Sequence, residues 1–292
     1  MKNPFKGTGV ALVTPFDKDY NIDYSALKKL VRFQIDNGTD FLVVQGTTGE
    51  SPCLSNEEKM KVLNTVIDEN NGALKIVYGV GGNNTKLVGE LFKQIPDGVD
   101  GILSVSPYYN KPTQDGIIAH FTYLSSCTDL PIILYNVPGR TASNMTAATS
   151  LKLAEIDNIV AVKEASGDMD QIMEIIRLKN DDFGVLSGDD ALTMSIILCG
   201  GEGVISVVAN SFPKLFSKMV SSSMSHEVDQ AKEIHYDLLH ITRLFFQEGN
   251  PGGVKAALNT MNIMEPTMRL PLVPISEELY LSIKNETLRL NN

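Results

Sequence analysis

The 292-residue sequence predicts an α/β fold: a (β/α)8 barrel with a C-terminal helical extension. Three observations lead there. Eight short, β-branched apolar runs recur up to residue 208, amphipathic patterns fill the intervals, and only helical patterns follow the eighth run. Runs that are apolar nearly throughout suit parallel strands covered on both faces. Eight strand–helix units of this size point to a closed barrel. An open doubly wound sheet is the alternative that periodicity leaves standing.

The first run is "GVALVT" at 9–14, followed by "DYSALKKLVRFQIDNG", a helical pattern that starts on the capping candidate Asp23 and closes on Gly38. The second is "FLVVQ" at 41–45, which leads through the turn "QGTTGES" into "SNEEKMKVLNTVIDENNG", a helix opened by Ser55 and closed by Gly72. The third, "KIVYG" at 75–79, runs into a second glycine-rich stretch, "GVGGNN" at 79–84. That stretch reads as a tight βα turn, although its N–H groups offer an anion site. "GILSVS" at 101–106, "IILYN" at 132–136, "IVAVK" at 159–163, "GVLSG" at 184–188 and "GVISVV" at 203–208 complete the set. Helical patterns then cover 212–222, 227–247, 252–262 and 276–288 with no linker between them. The expected division is a catalytic barrel over 1–225 and an extension over 226–292 packed on it as one folded unit.

Composition narrows the partners. With 43% hydrophobic and 21% charged residues, the chain can bury a sizeable core. A net charge of −10 without any Lys/Arg-rich stripe argues against nucleic acid. No stretch approaches the ~18 apolar residues of a membrane span, and "MKNPFKGTGV" lacks a signal peptide's apolar segment. Cys53, Cys127 and Cys199 show no CxxC spacing, which fits a reducing cytoplasm. His120, His226, His235 and His240 form no metal motif, so no metal is expected.

Barrels of this kind work at the C-terminal ends of their strands. The polar residues that leave each run are therefore the candidates: Thr47 and Thr48 after the second, Tyr108 and Tyr109 after the fourth, Tyr135 and Arg140 after the fifth, Lys163 ending the sixth. Burial at a barrel mouth disfavours a lysine's charged form and frees the amine to attack a carbonyl. The plain alternative for Lys163 is an ion pair with Glu164. Tyr135 ends the neighbouring strand, close enough to pass protons to a substrate on the lysine, with Thr47 and a second tyrosine as links of a relay. A planar guanidinium such as that of Arg140 suits a carboxylate. Taken singly, a tyrosine here reads as barrel filler and an arginine as a solvated or salt-bridged side chain.

In order along the chain, "GTTGES", "SPYYNKP", "YNVPGRT", "VKEASG" and "LSGDD" closely resemble the dihydrodipicolinate synthase family, within the pyruvate-dependent class I aldolases that include N-acetylneuraminate lyase. The likeness runs from "GTGVALVTPF" near residue 7 to "MRLPLVPIS" near 276. It implies that Lys163 forms an imine with pyruvate, that Tyr135 donates protons there, and that Thr47 links it to Tyr109 of a neighbouring subunit in a homodimer or homotetramer. It further implies that Thr48 holds the pyruvate carboxylate, that Arg140 meets the carboxylate of aspartate-4-semialdehyde, and that Gly188 and Ile205 line the site. No cofactor beyond the covalent imine is implied. A carboxylate also explains why "GTTGES" lacks a phosphate loop's lysine: such a cation would compete with Lys163.

The pattern is broken where lysine-inhibited relatives hold their effector. Ser51, Asn83 and Tyr108 remain, but Asn56 and Lys59 stand where histidines are common, and Leu87 stands where a glutamate meets the effector amine. Losing an acid and gaining a cation both disfavour a cationic ligand, so lysine inhibition is expected to be weak or absent. Two other functions compete with the synthase. A sugar lyase must hold hydroxyls rather than the second carboxylate that Arg140 suits, and a pyruvate or amino-acid sensor would not need every chemical position filled.

Overall fold

The computed structural model describes residues 1–291. Eight parallel strands follow one another around a closed barrel: β1 (Gly7–Ala11), β2 (Phe41–Val44), β3 (Lys75–Gly79), β4 (Gly101–Val105), β5 (Ile132–Asn136), β6 (Ile159–Glu164), β7 (Gly184–Ser187) and β8 (Gly203–Ser206). β8 pairs back onto β1 through Gly7↔Gly203 to Val10↔Ser206, so no sheet edge remains. The open-sheet alternative is thereby excluded. The first and last apolar runs overshoot their strands, because Leu12, Val13 and Val208 lie past the ladder yet are still buried.

Around the strands lie α1 (Tyr24–Asp36), α2 (Asn56–Asn70), α3 (Thr85–Phe92), α4 (Gln114–Ser125), α5 (Pro138–Thr141), α6 (Ala147–Leu153), α7 (Met169–Leu178) and α8 (Thr193–Leu198). The chain continues as α9 (Pro213–Met224), α10 (Val228–Phe246), α11 (Gly252–Thr260) and α12 (Glu277–Leu290). Helix starts follow local chemistry. Asp23 accepts the Ala26 N–H, and Ser55 forms a reciprocal capping box with Glu58. α1 turns Leu27, Leu30, Val31 and Gln34 inward, a stripe of helical spacing.

Two apolar layers result. Phe5, Phe41, Val43, Leu103, Ile133, Leu186 and Ile205 fill the barrel interior. Alternate strand residues such as Val10, Leu42, Val44 and Leu134 join the surrounding helices in the larger outer core. The barrel is thus a packed core open only at its rim. α10 lies along α9 and reaches α11 and α12, which brings its C-terminal end over the strand C-termini. Among the described residues no helix is long and apolar enough to cross a membrane.

Candidate active site

Strict alternation along "IVAVK" does not aim Lys163 into the barrel. Ile159 faces the outer core, Val160 and Ala161 both face the interior, and Val162 faces outward again. The β5–β6 register breaks at this point: Ile132 pairs with Ile159 but Ile133 pairs with Ala161, leaving Val160 as the extra residue of a bulge. The slip of one residue reverses the facing of everything after it. Lys163 therefore becomes the register partner of Tyr135. Its Nζ lies 4.2 Å from the centre of the Tyr135 ring. Lys163 is 6% exposed and Tyr135 7%.

Glu164 faces the other way. Its carboxylate accepts hydrogen bonds from the Asn136 amide, the Ser166 hydroxyl and the Gln171 amide. Burial pushes its carboxyl above the ordinary value, and these donors oppose the shift. No carboxylate pairs with Lys163 among the described residues, so the ion-pair alternative is not met.

A cavity of about 710 Å³ opens above the lysine, bounded by Thr47, Thr48, Tyr135, Arg140, Lys163 and Gly188. Six of the residues singled out in the sequence thus meet at one mouth. Thr47 and Thr48 form a 3-10 turn with Gly49; Thr14 Oγ1 donates to the Gly49 carbonyl at 2.7 Å and the Asn250 amide donates to Thr48 Oγ1 at 2.9 Å. Arg140 sits on α5, whose start is fixed by Pro138. Gly188 allows close approach: a Cβ there would lie 2.7 Å from Ala165 Cβ and 3.0 Å from Lys163 Cε.

Two residues of the expected set do not line this cavity in the single chain: Ile205, expected on the lining, and Tyr109, expected to enter from a neighbouring subunit. Ile205 is 1% exposed and packs into the barrel interior. β8 ends one residue later, so Val207 supplies the wall there. Tyr109 is 86% exposed with a left-handed φ of 76° and does not line the cavity of its own chain. Thr47 makes no hydrogen bond to Tyr109 within the described chain.

Of the effector positions, Ser51, Asn56 and Lys59 line a separate cavity of about 120 Å³. Burial pushes the Lys59 ammonium below its ordinary value. The Asn83 amide donates to the Tyr108 carbonyl at 3.1 Å, whereas the Leu87 and Tyr108 side chains are exposed.

Some of the lining was not singled out beforehand. α10 contributes Thr242, Arg243 and Phe246, and the segment after it contributes Asn250. Nothing in a helical pattern distinguishes a residue over a cavity from one in solvent; only the "NPGG" turn at 250–253 gives a local signal. Asp190, the last residue of "LSGDD", accepts the Val207 and Val208 N–H groups at 3.0 Å and so fixes the wall after β8. Burial raises its carboxyl to about 6.

Comparisons with known proteins agree with this fold. The model of the dihydrodipicolinate synthetase family matches residues 4–288. A Flavobacterium psychrophilum protein named 4-hydroxy-tetrahydrodipicolinate synthase is 50% identical over 277 residues, 94% of each chain. The crystal structure of dihydrodipicolinate synthase from Aquifex aeolicus superposes with a TM-score of 0.95 at 41% identity and covers 98% of both chains. A pyruvate complex of the Acinetobacter baumannii enzyme also gives 0.95, at 39% identity over 98% of this chain and 99% of that one.

Proposed function

The chain belongs to the dihydrodipicolinate synthetase family, and we propose that it condenses pyruvate with L-aspartate-4-semialdehyde as a 4-hydroxy-tetrahydrodipicolinate synthase of lysine and diaminopimelate biosynthesis. The observation that carries the reading is the unpaired, buried Lys163 amine facing the Tyr135 ring at 4.2 Å on the floor of the cavity.

The Lys163 amine attacks the pyruvate ketone, and loss of water gives an imine. The protonated imine draws electrons from the methyl group, which loses a proton to become an enamine. Tyr135 moves these protons. The enamine carbon attacks the aldehyde of the semialdehyde, forming the new carbon–carbon bond. The substrate amine then displaces Lys163 and closes the six-membered ring as 4-hydroxy-tetrahydrodipicolinate. The electron sink is the protonated imine, so the reaction calls for no metal or prosthetic group. Thr48 and its turn hold the pyruvate carboxylate, and Arg140 meets the carboxylate of the aldehyde.

Tyr109 completes the proton relay in a second copy of the chain. Its 86% exposure and left-handed backbone support that assignment, which makes the working unit a homodimer or a pair of them. The enzyme is assigned to the cytoplasm, in keeping with the free cysteines Cys53, Cys127 and Cys199.

The test is pyruvate consumption with aspartate-4-semialdehyde, run beside N-acetylmannosamine and an aldehyde-free control, with Lys163→Ala as the blank. Consumption with the semialdehyde alone, lost in the variant, is expected. Turnover with the sugar alone would transfer the reading to a lyase.

A further inference from the structure

Lys255 and Glu50 form an ion pair whose side chains have no exposed surface, with Nζ and Oε1 2.5 Å apart. Lys255 stands on α11 of the extension. Glu50 ends the turn that contains Thr47 and Thr48, in a left-handed conformation (φ 53°) that side chains other than glycine seldom adopt. Each partner is held further. Glu50 Oε2 accepts the Arg269 N–H at 3.0 Å, Lys255 Nζ donates to the Thr267 carbonyl at 2.8 Å, and the ammonium lies 4.3 Å from the centre of the Phe16 ring. The Arg269 guanidinium pairs with Glu58 at 2.7 Å.

Stability alone does not account for this arrangement. A buried ion pair recovers its desolvation cost only with excellent geometry, and apolar side chains of equal volume often serve the fold as well. What the pair does locally is fix one end of the carboxylate-binding turn to the extension. The Glu50 N–H donates to the Thr47 carbonyl at 3.1 Å, so holding Glu50 holds Thr47. Asn250, five residues before Lys255, donates to Thr48 Oγ1 from the same segment. The same segment packs closely against α10 because Gly253 has no side chain: a Cβ there would be 2.5 Å from the Phe245 Cα.

We propose that Lys255 and Glu50 are positioning residues for pyruvate, setting the Thr47–Gly49 turn so that it receives the carboxylate. Neither touches the substrate. The inference rests on the reading of this cavity as a pyruvate site.

The experiment measures formation of the pyruvate imine by borohydride trapping, well below the melting temperature, in the full-length protein and in Glu50→Gln, Lys255→Met and the double variant. The double variant leaves no lone buried charge and guards against single variants that fail to fold. Half-saturating pyruvate should rise about tenfold, the loss expected when a charge-assisted hydrogen bond is displaced. The half-saturating aldehyde in turnover should be unchanged. A double variant that melts differently yet takes pyruvate normally would overturn the proposal, as would an equal loss for both substrates. No imine in the unaltered protein would instead remove the functional reading, and this inference with it.

Discussion

Lys163 faces Tyr135 inside the barrel because Val160 is an extra residue in β6. Without the bulge, Lys163 would pair with Asn136 and point into the helical layer. The juxtaposition on which the proposed chemistry rests is therefore a consequence of strand register. Tyr135→Phe keeps the ring beside the lysine Nζ and removes only the hydroxyl. It should lower turnover by about 10²- to 10⁴-fold, the usual share of a positioned acid–base group, and leave borohydride-trapped imine detectable. Lys163→Met should abolish the trapped adduct altogether. Mass spectrometry of the trapped protein distinguishes the two outcomes.

Gly188→Ala tests the close packing behind the lysine. The new methyl would meet Ala165 Cβ at 2.7 Å and Lys163 Cε at 3.0 Å, so Ala165 must shift and the lysine stem must give by a few tenths of an ångström. The expected cost is about 1–3 kcal/mol of stability, as for other overpacked sites. The rate of imine trapping should fall with it. A variant with a lowered melting temperature and an undiminished trapping rate would show that the lysine tolerates displacement.

On the proposed reading, Arg140 separates the two substrates. It lies on the cavity wall rather than beside the lysine on the β5–β6 ladder. Arg140→Ala should raise half-saturating semialdehyde about 10- to 100-fold, the worth of a charge-assisted bidentate contact, while imine formation with pyruvate stays near normal. Equal damage to both steps would count against its role.

Much of this was legible in the sequence, for physical reasons. A parallel strand buried on both faces must be apolar throughout, so eight runs announced eight strands, and capping residues announced helix starts. Facing was not legible. The bulge at Val160 follows from pairing with β5, which no local pattern encodes. The roof of the cavity was hidden for a related reason. Thr242, Arg243 and Phe246 read as an ordinary amphipathic helix, and only the tertiary path of α10 carries them to the rim. Nor did anything local mark Lys255 as buried, since its partner Glu50 is remote in sequence.

His120 gives the fold a pH dependence of calculable sign. It is 3% exposed on α4, with Nδ1 2.8 Å from Thr85 Oγ1, and burial lowers its pKa from 6.5 to about 4. Between those values the unfolded chain takes up a proton that the folded protein refuses. The stability associated with neutral His120 is complete above pH 6.5, declines as pH falls and is lost by about pH 4. Melting temperatures from pH 8 to 4 should therefore fall more steeply for the unaltered protein than for His120→Gln. Parallel curves would exclude the assignment.

Lysine should act weakly on this enzyme, if at all. Ser51, Asn56 and Lys59 share one small cavity, and Lys59 brings to it a cation whose charge burial already disfavours. A second ammonium entering there would lose hydration and meet like charge, with no carboxylate among the lining residues to offset either cost. Leu87, on the exposed side of α3, offers only a methyl-bearing surface. Titrating lysine into the turnover assay should leave the rate unchanged through the sub-millimolar range. Lys59→His with Leu87→Glu removes the permanent cation and supplies an acid, so the pair should gain sensitivity if charge is what excludes the ligand. Strong inhibition of the unaltered protein would mean that lysine binds despite Lys59 and that the charge argument fails.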